Sequence, residues 1–211
     1  MIHELPEGTR LDLSMYDYNM FSNDSDRRLY LMSEIETFDP TTMEGSMSVC
    51  SQIVDDILSF NRQDLGVETQ YRKPIRLYIN SIGGDVTEGF AVVSAIEQSK
   101  TPVYTINVGR WCSMAFLIGI AGHKRFSLPN MVFLMHDGTN ITWDSGCKAQ
   151  DKMEFDKKFK EEIVRKHVLK HSKMSKEDYA AKVRMELYML PEEALERGFI
   201  DEIVTNIDDI L

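Results

Sequence analysis

Between Ile75 and His136 the chain twice runs from a β-rich strand, through a turn bearing glycine or serine, into an apolar helix. Ile75-Arg76-Leu77-Tyr78-Ile79 alternates as a strand does, and Ser81-Ile82-Gly83-Gly84-Asp85 turns. A helix then runs from about Thr87 to Ser99, with Phe90, Val93 and Ile96 on one face. Val103 to Val108 repeats the strand and Gly109 to Ser113 the turn. Met114 to Ala121 repeats the helix, apolar all round and hence buried, and Gly122 ends it. Val132 to Met135 is a further short strand, ending at His136. Such alternation buries both faces of a sheet beneath helices, so it predicts a layered α/β fold.

The flanks complete one unit. Residues 1 to 27 are polar and read as an irregular N-terminal arm, and Arg28 to Met32 as a short strand. Met43, Met47, Cys50, Val54 and Ile57 recur at helical spacing, which predicts an amphipathic helix over residues 42 to 60. Asn61 to Lys73 is a polar connection. Lys148 to Leu169 reads as one long charged helix carrying Phe155, Phe159 and Ile163 at four-residue steps. Ser175-Lys176-Glu177-Asp178 is a capping signature for the next helix. Pro191 opens a short helix that Gly198 ends, and Ile200 to Val204 closes as a strand. A chain of 211 residues holds one sizeable core, not two domains and a linker.

Charge and cysteine usage exclude several classes. Lys and Arg number 24 against 34 Asp and Glu, a net charge of −10 that repels phosphate backbones, so no nucleic acid partner is expected. Three widely spaced cysteines, Cys50, Cys112 and Cys147, make neither a disulfide framework nor a zinc site, and no metal is expected. The start lacks a basic, apolar leader, and the stretch Met114 to Ala121 is too short to span a bilayer. A cytoplasmic protein with no membrane partner is the expectation. No Walker-type Gly-Lys-Ser/Thr is present, and no cofactor is expected.

Three positions carry candidate chemistry, and each also has a plain structural reading. Gly83-Gly84 permits positive φ and a close backbone approach, with N–H groups able to hold an oxyanion; alone, it is equally a tight turn. Ser113 stands before a buried helix whose first N–H, at Met114, points outward with the positive end of the helix dipole; alone, it is equally an N-cap. His136 ends a strand where a cleft edge is expected; alone, it is equally a solvated strand end. His3, His123, His167 and His171 lie in polar or charged segments and look ordinary.

The order of these motifs decides among the readings. Tyr78-Ile79-Asn80-Ser81-Ile82-Gly83-Gly84, then Ser113-Met114, then Leu128-Pro129-Asn130 before His136, resembles the proteolytic subunit family of the ATP-dependent Clp protease. Pro191-Glu192-Glu193-Ala194, with Gly198-Phe199-Ile200-Asp201 behind it, is similar to that family's ending. The resemblance covers about residues 28 to 205, leaving 206 to 211 as a C-terminal tail. It implies a crotonase-like βα spiral with a protruding helical handle at about 139 to 170, and a serine endopeptidase acting on polypeptides. It implies Ser113 as nucleophile, His136 as base, and Gly84 and Met114 as oxyanion donors. Gly83, Thr139, Asn140 and Ile141 would bind the substrate backbone by strand addition. The third triad member, an aspartate in the family, aligns with Glu186; Ser-His-Glu triads occur on other folds. The resemblance further implies two stacked heptameric rings fed by an AAA+ unfoldase. This sequence departs from the family pattern at Ile82, at Trp111-Cys112, where bulk is expected to reshape the cleft, and at Met185, where a ring-coupling arginine usually stands. Two other outcomes fit the same motifs: a catalytically silent ring subunit, and a phage head-maturation protease of related fold.

Overall fold

A computed structural model describes residues 26–37, 47–138, 146–183 and 185–211. Most of the N-terminal arm and the substrate-strand residues Thr139, Asn140 and Ile141 lie outside them.

The parallel core follows the alternation in the sequence. Strand β1 (Arg28–Leu31) pairs with β2 (Ile75–Ser81), which pairs with β3 (Val103–Cys112), all parallel. Helix α1 (Val49–Gln63) starts at Ser48, whose side chain accepts from the Ser51 N–H, so the predicted helix begins later than residue 42 where it can be followed. Helix α2 (Val86–Gln98) starts at Asp85, which accepts from Thr87 and Glu88 N–H. Helix α3 (Met114–Ile120) has every residue buried, as its all-round apolarity predicts.

The predicted turn over Gly109 to Ser113 is instead a continuation of β3. The strand reaches Cys112 because it changes partner on the way. Tyr104 to Asn107 pairs with β4 (Lys124–Ser127), a strand with no expectation in the sequence, and Arg110 to Cys112 pairs with β5 (Val132–Met135). The fully buried Asn107 holds the fork. Its amide donates to Val132 O at 3.2 Å, and its Oδ1 accepts from Gly109 N at 3.0 Å. A glycine is required at 109, because a Cβ there would enter the Asn80 side chain. Beyond the fork, β5 carries the antiparallel β6 (Leu187–Met189), and β4 carries β7 (Glu202–Ile203).

The handle helix is continuous from Gly146 to Lys170 but not uniform. Helix α4 (Gly146–Phe159) has no buried residue. A π-helical turn, Lys160–Val164, then re-phases the helix so that α5 (Arg165–Lys170) buries His167 and Val168. Phe155 and Phe159, one turn apart on α4, have ring centroids 6.2 Å apart. Phe155 and Ile163 are exposed, whereas Phe159 stands edge-on to Phe90 of α2 at 5.3 Å. Helix α6 (Lys176–Lys182) is capped by Ser175, and α7 (Pro191–Glu196) opens on Pro191. Arg125 binds this C-terminal half to the sheet, with both carboxylate oxygens of Asp201 and the carbonyls of His171 and Gly198 as acceptors. The chain closes with Ile207–Ile210, whose Ile210 is buried against the sheet; Tyr78 Oη donates to its carbonyl.

Candidate active site

The end of β3 and the start of α3 place Ser113. Its backbone sits at φ 55°, ψ −123°, a region that a residue with a Cβ enters only at a cost of about 1–3 kcal/mol. Its hydroxyl makes no capping hydrogen bond to the helix, so the plain N-cap reading of this serine does not hold. The conformation is fixed from both sides. Ser113 N donates to Leu134 O at 3.0 Å, and Gly83 packs directly beneath, where a Cβ would come within 2.7 Å of the Ser113 Cβ and 2.6 Å of Cys112 O. A strained residue at a strand-to-helix turn is how α/β hydrolases present a nucleophile.

The glycine pair is held equally firmly. Gly83 and Gly84 have φ of 94° and 143°. Ile35 N donates to Gly83 O at 2.8 Å, and Asp85 N donates to Ile35 O at 2.7 Å. This bridge uses the groups on either side of the Gly84 N–H and leaves that N–H outside it. Met114 is the first residue of α3, so its N–H has no acceptor within the helix. Neither N–H is used by the helix or by the Ile35 bridge.

Ser113 and His136 line one cleft of about 150 Å³. Met114, Leu117 and Met135 supply apolar wall on the head side, and Phe159 and Lys160 reach in from the handle helix. His136 Nε2 is buried and has no hydrogen-bond partner among the described residues. An unsatisfied buried ring nitrogen is costly unless a ligand or reacting group completes it. Ile82, Trp111 and Cys112, with bulk expected to reshape the substrate cleft, are not among the described residues that line this cavity. Trp111 is fully buried in the core, edge-on to Phe133 at 5.5 Å and seated on Gly119.

Glu186 is placed by a pairing that the sequence did not disclose. In the β5–β6 ladder Leu134 faces Tyr188 and Met135 faces Leu187, and the ladder ends there, one residue short of His136 and Glu186. The residue is exposed, and its carboxylate lies near enough to Tyr188 to push that phenol's pKa up. Gly138 lies on the cleft, at φ 78°, immediately before the segment 139–145.

Sequence reading missed the handle's share in this cleft. The signal was present as Phe159, but its contact with Phe90 of α2 depends on how the helix meets the head. It also missed His167, which is 6% exposed rather than an ordinary surface histidine. Among the described residues no helix is long and apolar enough to cross a membrane.

Comparison with known proteins agrees with this geometry. The chain is 34% identical over 145 residues to the ATP-dependent Clp protease proteolytic subunit 1 of Streptomyces avermitilis, an alignment covering 66% of this chain and 64% of that relative. The chain thus matches somewhat less than two thirds of the relative's length. The Clp protease family profile matches residues 26–207, and with that span, the strained serine and the forked α/β sheet in hand, the chain belongs to the Clp protease family.

Proposed function

We propose that the protein is a serine endopeptidase of the Clp type. The observation that carries this reading is a serine in a strained backbone conformation that shares an apolar cleft with a histidine whose buried Nε2 lacks a partner among the described residues. Ser113 Oγ attacks the scissile carbonyl and gives its proton to His136 Nε2. The N–H groups of Gly84 and Met114 hold the oxyanion. The imidazolium then protonates the leaving amine, and water, activated by the same nitrogen, releases the acyl group. Glu186, which like His136 stands one residue beyond the β5–β6 ladder, orients the imidazole Nδ1–H. This requires the carboxylate to turn from Tyr188 towards the ring.

The substrate is an extended polypeptide lying along Gly83 and residues 138 to 141, its backbone paired as an added strand. Exposed Met153, Phe155 and Ile163 on the handle helix support burial against another copy, in two stacked heptameric rings. An AAA+ unfoldase supplies unfolded chains, since no nucleotide-binding motif occurs here. The setting is cytoplasmic, and the three free cysteines accord with it.

A fluorophosphonate probe followed by peptide mapping tests the assignment. Ser113 should be the modified residue, and Ser113→Ala should hydrolyse no fluorogenic peptide. Modification of another serine would overturn it. Glu186→Gln should lower turnover by about four orders of magnitude, as loss of a triad acid does. Near-normal turnover in that variant would instead favour a Ser113–His136 dyad, consistent with an exposed carboxylate beside Tyr188.

A further inference from the structure

Behind the cleft, at the root of the handle, Glu97 of α2 meets His167 and His171 of α5 and its cap. One ligand atom from each lies within 4.8 Å of the others. His167 Nδ1 is 3.3 Å from Glu97 Oε1, and His171 Nε2 is 2.7 Å from the same oxygen. The two histidines stand at i and i+4 on one helix, with ring centroids 4.7 Å apart. That spacing puts two imidazoles on one face of a helix, as zinc-binding helices do.

The hydrogen bonds favour a cation over a self-contained polar cluster. His167 Nε2 lies 2.9 Å from the carbonyl of Leu117, which only accepts, so that nitrogen carries the proton. In the neutral ring, Nδ1 then presents its lone pair to a carboxylate that also only accepts. That ring nitrogen and the Glu97 oxygen stand 3.3 Å apart, an opening that a bound cation would fill from both sides. A backbone carbonyl fixing the distal N–H of a histidine is also the usual outer-shell support of a metal ligand.

We propose that Glu97, His167 and His171 form a binding site for a divalent transition metal, with Zn²⁺ the best match to two imidazoles and one carboxylate. His167 binds through Nδ1, His171 through Nε2 and Glu97 through Oε1, with water completing a tetrahedron. His171 moves its proton from Nε2 to Nδ1, so both rings stay neutral and no net proton is released. Lys170 Nζ, now 3.0 Å from Glu97 Oε1, is displaced into solvent, where 61% of its side chain already lies. The bound metal ties α5 to α2, and through the Leu117 carbonyl to α3, the helix that begins beside Ser113. The proposal is independent of whether Ser113 is catalytic.

Cobalt titration of the full chain, tag-free and freed of metal by chelation, tests the site. One Co²⁺ per chain should give the visible ligand-field bands of a four-coordinate ion, and Zn²⁺ should displace it. Glu97→Gln and His171→Asn should each weaken binding by at least about 10–100-fold, since even outer-shell partners are worth that much. Lys170→Ala, an exposed change that leaves the fold alone, should tighten binding by removing the competing ammonium. The proposal is overturned by absence of stoichiometric binding, by thiolate-to-cobalt charge-transfer bands reporting cysteine ligation, or by affinity that Lys170→Ala leaves unchanged or lowers.

Discussion

Helices α3 and α4 stand at opposite limits of what can hold a helix. In α3 all seven residues are buried, and in α4 none of fourteen is. Seven residues are too few to be helical alone in water, so α3 exists because the head surrounds it. Phe116 meets Phe199 at 4.9 Å, Trp111 lies on Gly119, and the Thr105 hydroxyl donates to Gly119 O at 2.7 Å. Helix α4 instead relies on its length, its good helix formers and its continuation into the ion-paired turns Glu161–Arg165 and Glu162–Lys166. Helix α3 buries all of its own apolar surface, whereas α4 leaves Met153 and Phe155 67% and 63% exposed. A helix of the first kind can hold a strained residue at its end. One of the second kind is available for contact.

The largest effect should come from hollowing the first kind. Phe116→Ala removes a fully buried ring and should cost about 3–5 kcal/mol in urea unfolding. A loss below 1 kcal/mol would mean that α3 does not depend on its surroundings. Next is the buried pair of the head, Asp64 with Arg27, at 2.7 Å with side chains 9% and 12% exposed. The hydrogen bond from Arg27 holds the Asp64 carboxyl below its usual range despite burial, with help from Thr101. Its folded pKa is thus depressed, so its contribution is whole above the ordinary carboxylate range and is lost as pH falls through the lowered value. Asp64→Asn should cost about 1–3 kcal/mol at neutral pH, and the two stability curves should converge in acid. A gap that persists at low pH would assign the loss to packing.

Ser113→Gly should have the opposite sign. Releasing the strain at φ 55° gains about 1–3 kcal/mol, and glycine's extra freedom in the unfolded chain returns about 0.5–1. A net stabilisation near 1 kcal/mol, with no peptide hydrolysis, is expected from thermal melts and a fluorogenic assay. Destabilisation would show that the serine conformation stores no strain. The smallest effect on the fold should come from α4. Phe155→Ser should change unfolding by less than about 0.5 kcal/mol, as exposed substitutions do. It should nonetheless shift the sedimenting species away from seven or fourteen subunits. Assembly unaffected by this change would place the ring contact elsewhere.

Local signals made half of this molecule legible in advance. The periodicities of Ile75–Ile79, Val103–Val108 and Val132–Met135, the caps at Ser175 and Pro191, and the all-apolar run after Ser113 report on neighbours within one turn or one strand. The spacing of Gly84, Ser113 and His136 put candidate chemistry at the ends of those elements before any coordinates. What stayed hidden depends on partners far along the chain. The fork in β3 requires Asn107 to meet Val132, and the short β4 and β6 are strands only because a partner lies beside them. The strand end before Glu186 comes beside the strand end before His136 only through the β5–β6 register. Phe159 is the part of its stripe with Phe155 and Ile163 that meets the head, because Phe90 of α2 stands edge-on to it. His167 and His171, polar residues in a charged segment, are buried against Glu97 and the Leu117 carbonyl only after the π-helical turn has rotated α5. The sequence by itself determined most of the strands and helices and where candidate chemistry would stand, because hydrogen bonding along a helix and alternation along a strand are short-range. Only the tertiary structure decided which strand β6 pairs with and which side chains the helix turns inward, because registers and rotations are set by packing between residues far apart in the chain, 50 for His167 and Leu117 and 74 for His171 and Glu97.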